Sequence, residues 1–141
     1  MKVLVIGCGR VGAGVALALG REGWEVSVVD EREEALGRLG SNWTGQFTVG
    51  HGMDLDILLM AGIQDADAAV VATNGDNTNI VIGQVAKRRF EVPNVAVRIL
   101  DPARAKFYAQ QGMQTICPTQ TAIDSLTEAV AAQAPREAAP A

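Results

Sequence analysis

Three glycines at the spacing G-x-G-x-x-G (Gly7, Gly9 and Gly12) follow directly on the aliphatic run Lys2–Ile6 in the opening MKVLVIGCGRVGAG. That spacing suits a backbone that must receive a phosphate. The first glycine lets the chain turn sharply out of a strand. The second brings no side chain, so a pyrophosphate can reach the backbone. The third lets the following helix pack close to the sheet. The helix start then offers unpaired N–H groups and a partial positive charge to the anion. Cys8, Arg10 and Val11 sit inside the loop. Arg10 carries the group that clamps a phosphate oxygen well, and it also suits a solvated surface. Asp30 closes the next aliphatic run, at the distance expected of an acid that accepts hydrogen bonds from ribose hydroxyls, with Glu31 beside it. An acid there favours NAD or an adenosine ribose and disfavours the 2′-phosphate of NADP.

Two further stretches fall where such a ligand would run. VVATNGDNTN places Thr73, Asn74 and Gly75 at the end of a later strand, and VGHGMD places His51, Gly52 and Met53 beside the expected adenine. His51 can stack on or hydrogen-bond a base, or stand as an exposed loop residue. Hydride transfer would need a second site for substrate and an acid or base near the nicotinamide. His51 lies on the adenine side, and Lys106 and Tyr108, two apart on a helix, face different ways. The residues hold a ligand without an evident constellation to transform it. This points to a sensor or regulator, the alternative being the cofactor domain of an NAD-dependent oxidoreductase without its substrate domain.

The elements that must position these residues alternate regularly. Strands are expected at Lys2–Ile6, Glu25–Val29, Gln46–Val49, Ala68–Ala72, Val95–Ile99 and Thr115–Cys117. Helices are expected at Val11–Arg21, Glu31–Leu39, Leu55–Met60, from Asp76 to about Arg89, from Asp101-Pro102 to about Gln111, and from Thr119 to about Gln133. Asp101 followed by Pro102 is an N-cap acid with proline at the first helical position. Repeated strand–helix units with apolar strands predict a parallel sheet covered on both faces. The expected fold class is α/β, a Rossmann-like doubly wound sheet of about six strands in the order 3-2-1-4-5-6. One domain over residues 1–133 and a flexible tail over 134–141, rich in Ala and Pro, complete the expected organisation.

The chain has 141 residues, a hydrophobic fraction of 48% and a formal net charge of −4, which suit one packed domain and argue against a nucleic-acid partner. Lys87, Arg88 and Arg89 form a small cluster that suits a solvated helix end. Cys8 and Cys117 have neither metal-site spacing nor a disulfide framework, which predicts a reduced protein without a bound metal. A helix N-terminus can activate a thiol, although Cys8 reads better as a small packed residue. No apolar run approaches the ~20 residues of a membrane helix.

Taken together, MKVLVIGCGRVG, the VVD ending at Asp30, VGHGMDLDILLMAGI, DADAAVVATNGDNTNIVIGQVAKR and VAVRILDP resemble the N-terminal nucleotide-binding domain of the RCK family, also called KTN. These are cytosolic regulators of potassium channels and of Trk- and Ktr-type transporters. The likeness runs from about Met1 to Ile123, and the Thr-x-x-Asp-x-x-Asn stretch and the Arg before Asp-Pro make it more specific than the glycine loop alone. It implies binding of NAD(H), ATP or ADP and assembly as a homodimer, tetramer or octameric ring. It also implies a membrane potassium transporter or channel subunit as partner, and a cytoplasmic location at the inner face of the membrane through that partner. By resemblance, Gly7, Gly9, Arg10 and Gly12 form the phosphate loop, Asp30 is the ribose acid, and Thr73 and Asn74 line the crevice. Arg98 matches a position near the phosphates or the subunit interface, while its charge also suits a pairing with Asp76 or Asp101. The family usually has Asp or Asn before Ala-Thr or Ala-Ser after the third strand, where this chain has His51-Gly52-Met53. The last helix carries Ala122, Ile123, Leu126, Ala129 and Val130 at helical spacing. It is expected to contact a second subunit rather than its own sheet.

Overall fold

The computed structural model describes residues 1–133 and Arg136. The expected tail otherwise lies outside the described residues. Six strands form one sheet: β1 (Lys2–Ile6), β2 (Glu25–Asp30), β3 (Gln46–Val49), β4 (Ala68–Val71), β5 (Asn94–Arg98) and β6 (Gln114–Ile116). Every pairing is parallel and the order is β3-β2-β1-β4-β5-β6, as expected. The chain winds outward from β1 to β3, then returns to the other side of β1 with β4. The connections leaving β1 and β4 therefore part in opposite directions, which opens a cleft at the strand C-termini.

The aliphatic strands are buried on both faces. Leu4, Ile6, Ala69, Val71, Val95 and Val97 pack against Leu58 of α2 (Leu55–Met60), Ile80 and Ile82 of α3 (Asp76–Gln84) and Ala105 of α4 (Pro102–Gln110). On the other face Val3, Val5, Val26 and Val28 meet Ala13 and Ala16 of α1 (Arg10–Arg21) and Ala35 and Leu39 of a 3₁₀ segment. Small residues on α1 let that helix lie close to the sheet, which fixes where its N-terminus points.

Two elements differ from expectation. The segment after β2 is 3₁₀ rather than α and begins only at Glu33. The Asp30 carboxylate accepts the Arg32 N–H at 2.8 Å, and Arg32 is extended at φ −106°, so the turn starts late. Gly37 within it further weakens an α-helix. The helix expected from Asp76 to about Arg89 is α only to Gln84 and continues as a π turn over Val85–Arg89. This wider turn keeps Ala86 buried and leaves Lys87, Arg88 and Arg89 in solvent.

Caps follow local chemistry. Asp54 accepts from Asp56 N–H at the start of α2, and Asp101 accepts from Ala103 N–H at the start of α4. The last helix, α5 (Pro118–Ala131), begins on Cys117, whose sulfur accepts from Gln120 N–H. None of its residues is buried, and Ile123, Leu126 and Val130 are 47%, 69% and 78% exposed. Its apolar stripe is therefore not packed on this chain's own sheet. Among the described residues no helix is long and apolar enough to cross a membrane.

Candidate nucleotide site

The cleft at the C-terminal ends of β1, β2, β3 and β4 has a volume of about 420 Å³. That is within the roughly 300–1,000 Å³ typical of small-molecule sites. Gly7, Gly9 and Arg10 form one wall, Asp30, Glu31, His51 and Gly52 another, and Thr73, Asn74 and Gly75 a third.

The glycine loop does what its spacing predicts. Gly7 has φ +101°, and a Cβ there would stand 2.5 Å from the Ala72 carbonyl oxygen. The turn and the close approach to β4 both require glycine. A Cβ on Gly12 would overlap the Gly7 carbonyl, so the first turn of α1 is seated directly on the loop. A Cβ on Gly9 would meet no atom within 4 Å, so nothing of this chain stands over that stretch of backbone.

Gly9 is also the N-cap of α1 and supplies no capping side chain; the first intrahelical bond is Ala13 N–H to Gly9 O at 2.9 Å. The N–H groups of Arg10, Val11 and Gly12 thus have no helical acceptor. Helix α3 also starts without a side-chain cap, on Gly75. Of the five α-helices among the described residues, the two that begin at the cleft are uncapped, and α2, α4 and α5 carry side-chain caps. Uncapped N-termini turned to a cleft are a ready seat for an anion.

Asp30 sits at the end of β2 with each carboxylate oxygen taking one backbone N–H. Oδ2 accepts from Cys8 at 2.8 Å and Oδ1 from Arg32 at 2.8 Å. An ionised carboxylate has about four acceptor positions. Two therefore remain for hydroxyl donors; of the two in use, the bond from Cys8 locks the glycine loop to β2 and the bond from Arg32 shapes the turn that follows β2. Cys8 itself is fully buried, and its thiol donates to Ala35 O at 3.4 Å. Burial, with the Asp30 charge adding to it and the Arg38 charge opposing it, pushes the thiol above its ordinary value. It is a packed residue, and it is not a lining one.

His51 is placed by two contacts. Its Nδ1 accepts from Met53 N–H at 3.1 Å, which leaves the proton on Nε2 to face Glu31 Oε1 at 2.9 Å. The pair joins the ends of β2 and β3 across the cleft mouth. Both side chains are about half exposed, so the bond orients the ring more than it stabilises the fold. Gly52 is buried, and a Cβ there would press on Ile6 and Ile82. Val11 is exposed, and Cys8, Val11, Gly12, Met53 and Arg98 do not line the cleft.

Arg98 pairs with neither carboxylate considered for it. Asp76 instead accepts from Leu100 N–H at 2.8 Å and Asp101 N–H at 3.0 Å, and Asp101 caps α4. The Arg98 guanidinium donates through Nη2 to Thr73 O at 2.6 Å and Ala72 O at 3.4 Å. Two arginines that the motifs do not single out, Arg32 and Arg38, also line the cleft. Arg38 donates to Cys8 O at 3.3 Å. Only the 3₁₀ turn brings it back over the glycine loop, so spacing alone offered no signal for it. The Thr-x-x-Asp-x-x-Asn spacing of Thr73, Asp76 and Asn79 marks this stretch in the sequence without giving Asn79 a role.

An all-parallel sheet in this order, with a glycine loop at its switch point, defines a Rossmann-type α/β domain. The family model for the TrkA-N domain matches residues 3–119, and the chain belongs to that family. It is 40% identical over 126 residues to the Trk system potassium uptake protein TrkA of Streptomyces coelicolor, covering 89% of this chain and 56% of that protein. The chain thus spans about half the length of this curated relative. Among solved structures, the fold is similar to the Kef CTD of Shewanella denitrificans in its AMP-bound form, with TM-score 0.80, 22% identity and coverage of 96% of this chain and 84% of the other. It is likewise similar to the GsuK channel bound to NAD, with TM-score 0.78, 20% identity and coverage of 92% and 23%.

Proposed function

We propose that this chain is the adenine-nucleotide-binding regulatory domain of a potassium uptake transporter or channel. The observation that carries the reading is the pairing, in one cleft, of an uncapped helix N-terminus with an acid that retains free acceptor positions. The open N-terminus of α1 at Gly9 and Arg10 and the Arg10 side chain would hold phosphates. Asp30 would accept the ribose hydroxyls, and His51, held by Glu31, would border the base. Thr73, Asn74 and Gly75 would form the facing wall. The ligand class is NAD(H), ATP or ADP, in keeping with the AMP- and NAD-bound neighbours. The potassium context rests on the names of the relatives.

In this reading the domain binds and does not transform its ligand. Differential binding to two conformations is then the whole of its action, because a ligand shifts an equilibrium only by its difference in affinity for the two states. The proposed partner is a membrane potassium transporter or channel subunit, with the domain on the cytoplasmic side. The exposed stripe of α5 supports association of two copies through that helix.

Calorimetric titration with NAD, NADH, ATP and ADP, repeated on Asp30→Ala, tests the reading. Micromolar binding is expected for at least one nucleotide. Losing hydrogen bonds to a charged group, at about 1.5–3 kcal/mol, should weaken it by roughly tenfold or more. Failure of all four to bind would sink the proposal.

A further inference from the structure

Asn79 lies on α3, below the cleft rather than on its wall, and is 1% exposed. Its amide is fully used. Oδ1 accepts the Thr73 N–H at 3.0 Å and also the Thr73 hydroxyl, while Nδ2 donates to the carbonyl oxygens of Thr73 and Arg98, each at 3.0 Å. One side chain thus holds the N–H, the hydroxyl and the carbonyl of a single residue, and ties that residue to the end of β5.

Thr73 needs such a partner because of where it stands. The ladders that hold β4 reach Val71, which pairs with Ile6 on one side and Val97 on the other, and Ala72 N–H still donates to Ile6 O at 2.8 Å. Beyond that point the sheet offers no further bonds. Yet Thr73, Asn74 and Gly75 form a wall of the cleft, and Gly75 opens α3 uncapped. Arg98 braces the same carbonyl of Thr73 from β5.

We infer that Asn79 is a positioning residue for the nucleotide cleft, fixing the backbone of Thr73–Gly75 in its binding geometry before any ligand arrives. The inference rests on the nucleotide reading above. It also explains the residue type. Aspartate could accept from Thr73 but could not donate to two carbonyls, and leucine, of similar shape, could do neither. Satisfied buried polar groups of this kind specify one local geometry, and half-satisfied ones do not.

The test compares wild type with Asn79→Leu and with Val92→Ala, a core truncation remote from the cleft, at a temperature where circular dichroism shows all three folded. In ligand-free protein, hydrogen exchange at the Thr73 amide should quicken about tenfold or more in Asn79→Leu while Val71 stays protected. ADP affinity should fall about tenfold in Asn79→Leu and stay within about twofold in Val92→Ala. Where leucine prevents folding, Asn79→Asp gives the affinity comparison, since it loses both donated bonds while keeping the acceptor of the Thr73 N–H. Wild-type ADP affinity with slow Thr73 exchange in Asn79→Leu, or wild-type ADP affinity in Asn79→Asp, would overturn the inference alone. Equal loss of affinity in both variants, in step with their melting temperatures, would reduce Asn79 to a stability residue and overturn it too. Absence of ADP binding to wild type would overturn the nucleotide reading and the inference together.

Discussion

The Asp30 carboxylate and the Cys8 backbone share a bond that gives each residue a second task. Asp30 holds the loop that it also serves, so its removal loosens the phosphate wall as well as the ribose contact. Cys8 follows from the same closeness: a thiol with no solvent exposure, beside a carboxylate, stays protonated above the ordinary thiol range. In the unfolded chain it ionises near the usual value of about 9. Between that value and its higher folded value the unfolded chain binds fewer protons. The contribution is thus fully present below the unfolded value and is lost as pH rises through the folded one. Thermal melts from pH 8 to pH 11 should show a decline in stability that is shallower in Cys8→Ala. In the native protein Cys8 should react with a thiol reagent far more slowly than the half-buried Cys117. Equal reactivity of the two would contradict the packed environment.

At the scale of elements, α1 is a helix whose start has been left open. Gly9 in place of a capping side chain costs a few tenths of a kcal/mol or more relative to Ser or Asp, and the exposed N–H groups then face the cleft. Seating that helix depends on Gly12. A methyl group there collides with the Gly7 carbonyl, a backbone atom that has nowhere to move. Gly12→Ala should destabilise the fold by about 1–3 kcal/mol or more, the usual range for overpacking a tight contact. Gly14→Ala, on the same helix with open space at its Cβ, should be neutral or stabilising by up to about 1 kcal/mol. Chemical denaturation of the two variants separates the close-packing role of Gly12 from helix propensity, which predicts the same sign for both.

On the scale of the whole molecule, the sheet and its two layers are complete, while α5 leaves an apolar stripe uncovered. Packing against the α5 of a second copy would remove Ile123, Leu126 and Val130 from water. Sedimentation of the wild-type chain is expected to show a dimer. Leu126→Asp, which puts a charge into the centre of the stripe, should shift it to monomer without lowering the affinity for ADP, because α5 contributes no residue to the cleft lining. A wild-type monomer at micromolar concentration would remove the dimer reading.

Period and punctuation made most of the fold legible. Strand-like runs of three to five residues placed every strand to within a residue or so and, with the glycine loop, implied the strand order that the sheet adopts. The placement of the loop residues and Asp30 at the cleft was legible because it depends on local backbone, on one turn, one helix start and one strand end. The 3₁₀ and π segments were not. Both arise where a helix must meet a constraint set elsewhere, at Asp30 in one case and on burying Ala86 beside the sheet in the other. The sequence singled out Arg98 by resemblance, but the partners of Arg38, Arg98 and Asn79 were assigned by tertiary structure alone, since each acts on carbonyls or amides at least six residues away. Sequence by itself determined which stretches are strand and helix and which residue types could meet a nucleotide, because those depend on neighbours along the chain. Only the folded sheet decided which side chains reach the cleft and which hold it open, because hydrogen bonds across strands are set by register and not by spacing.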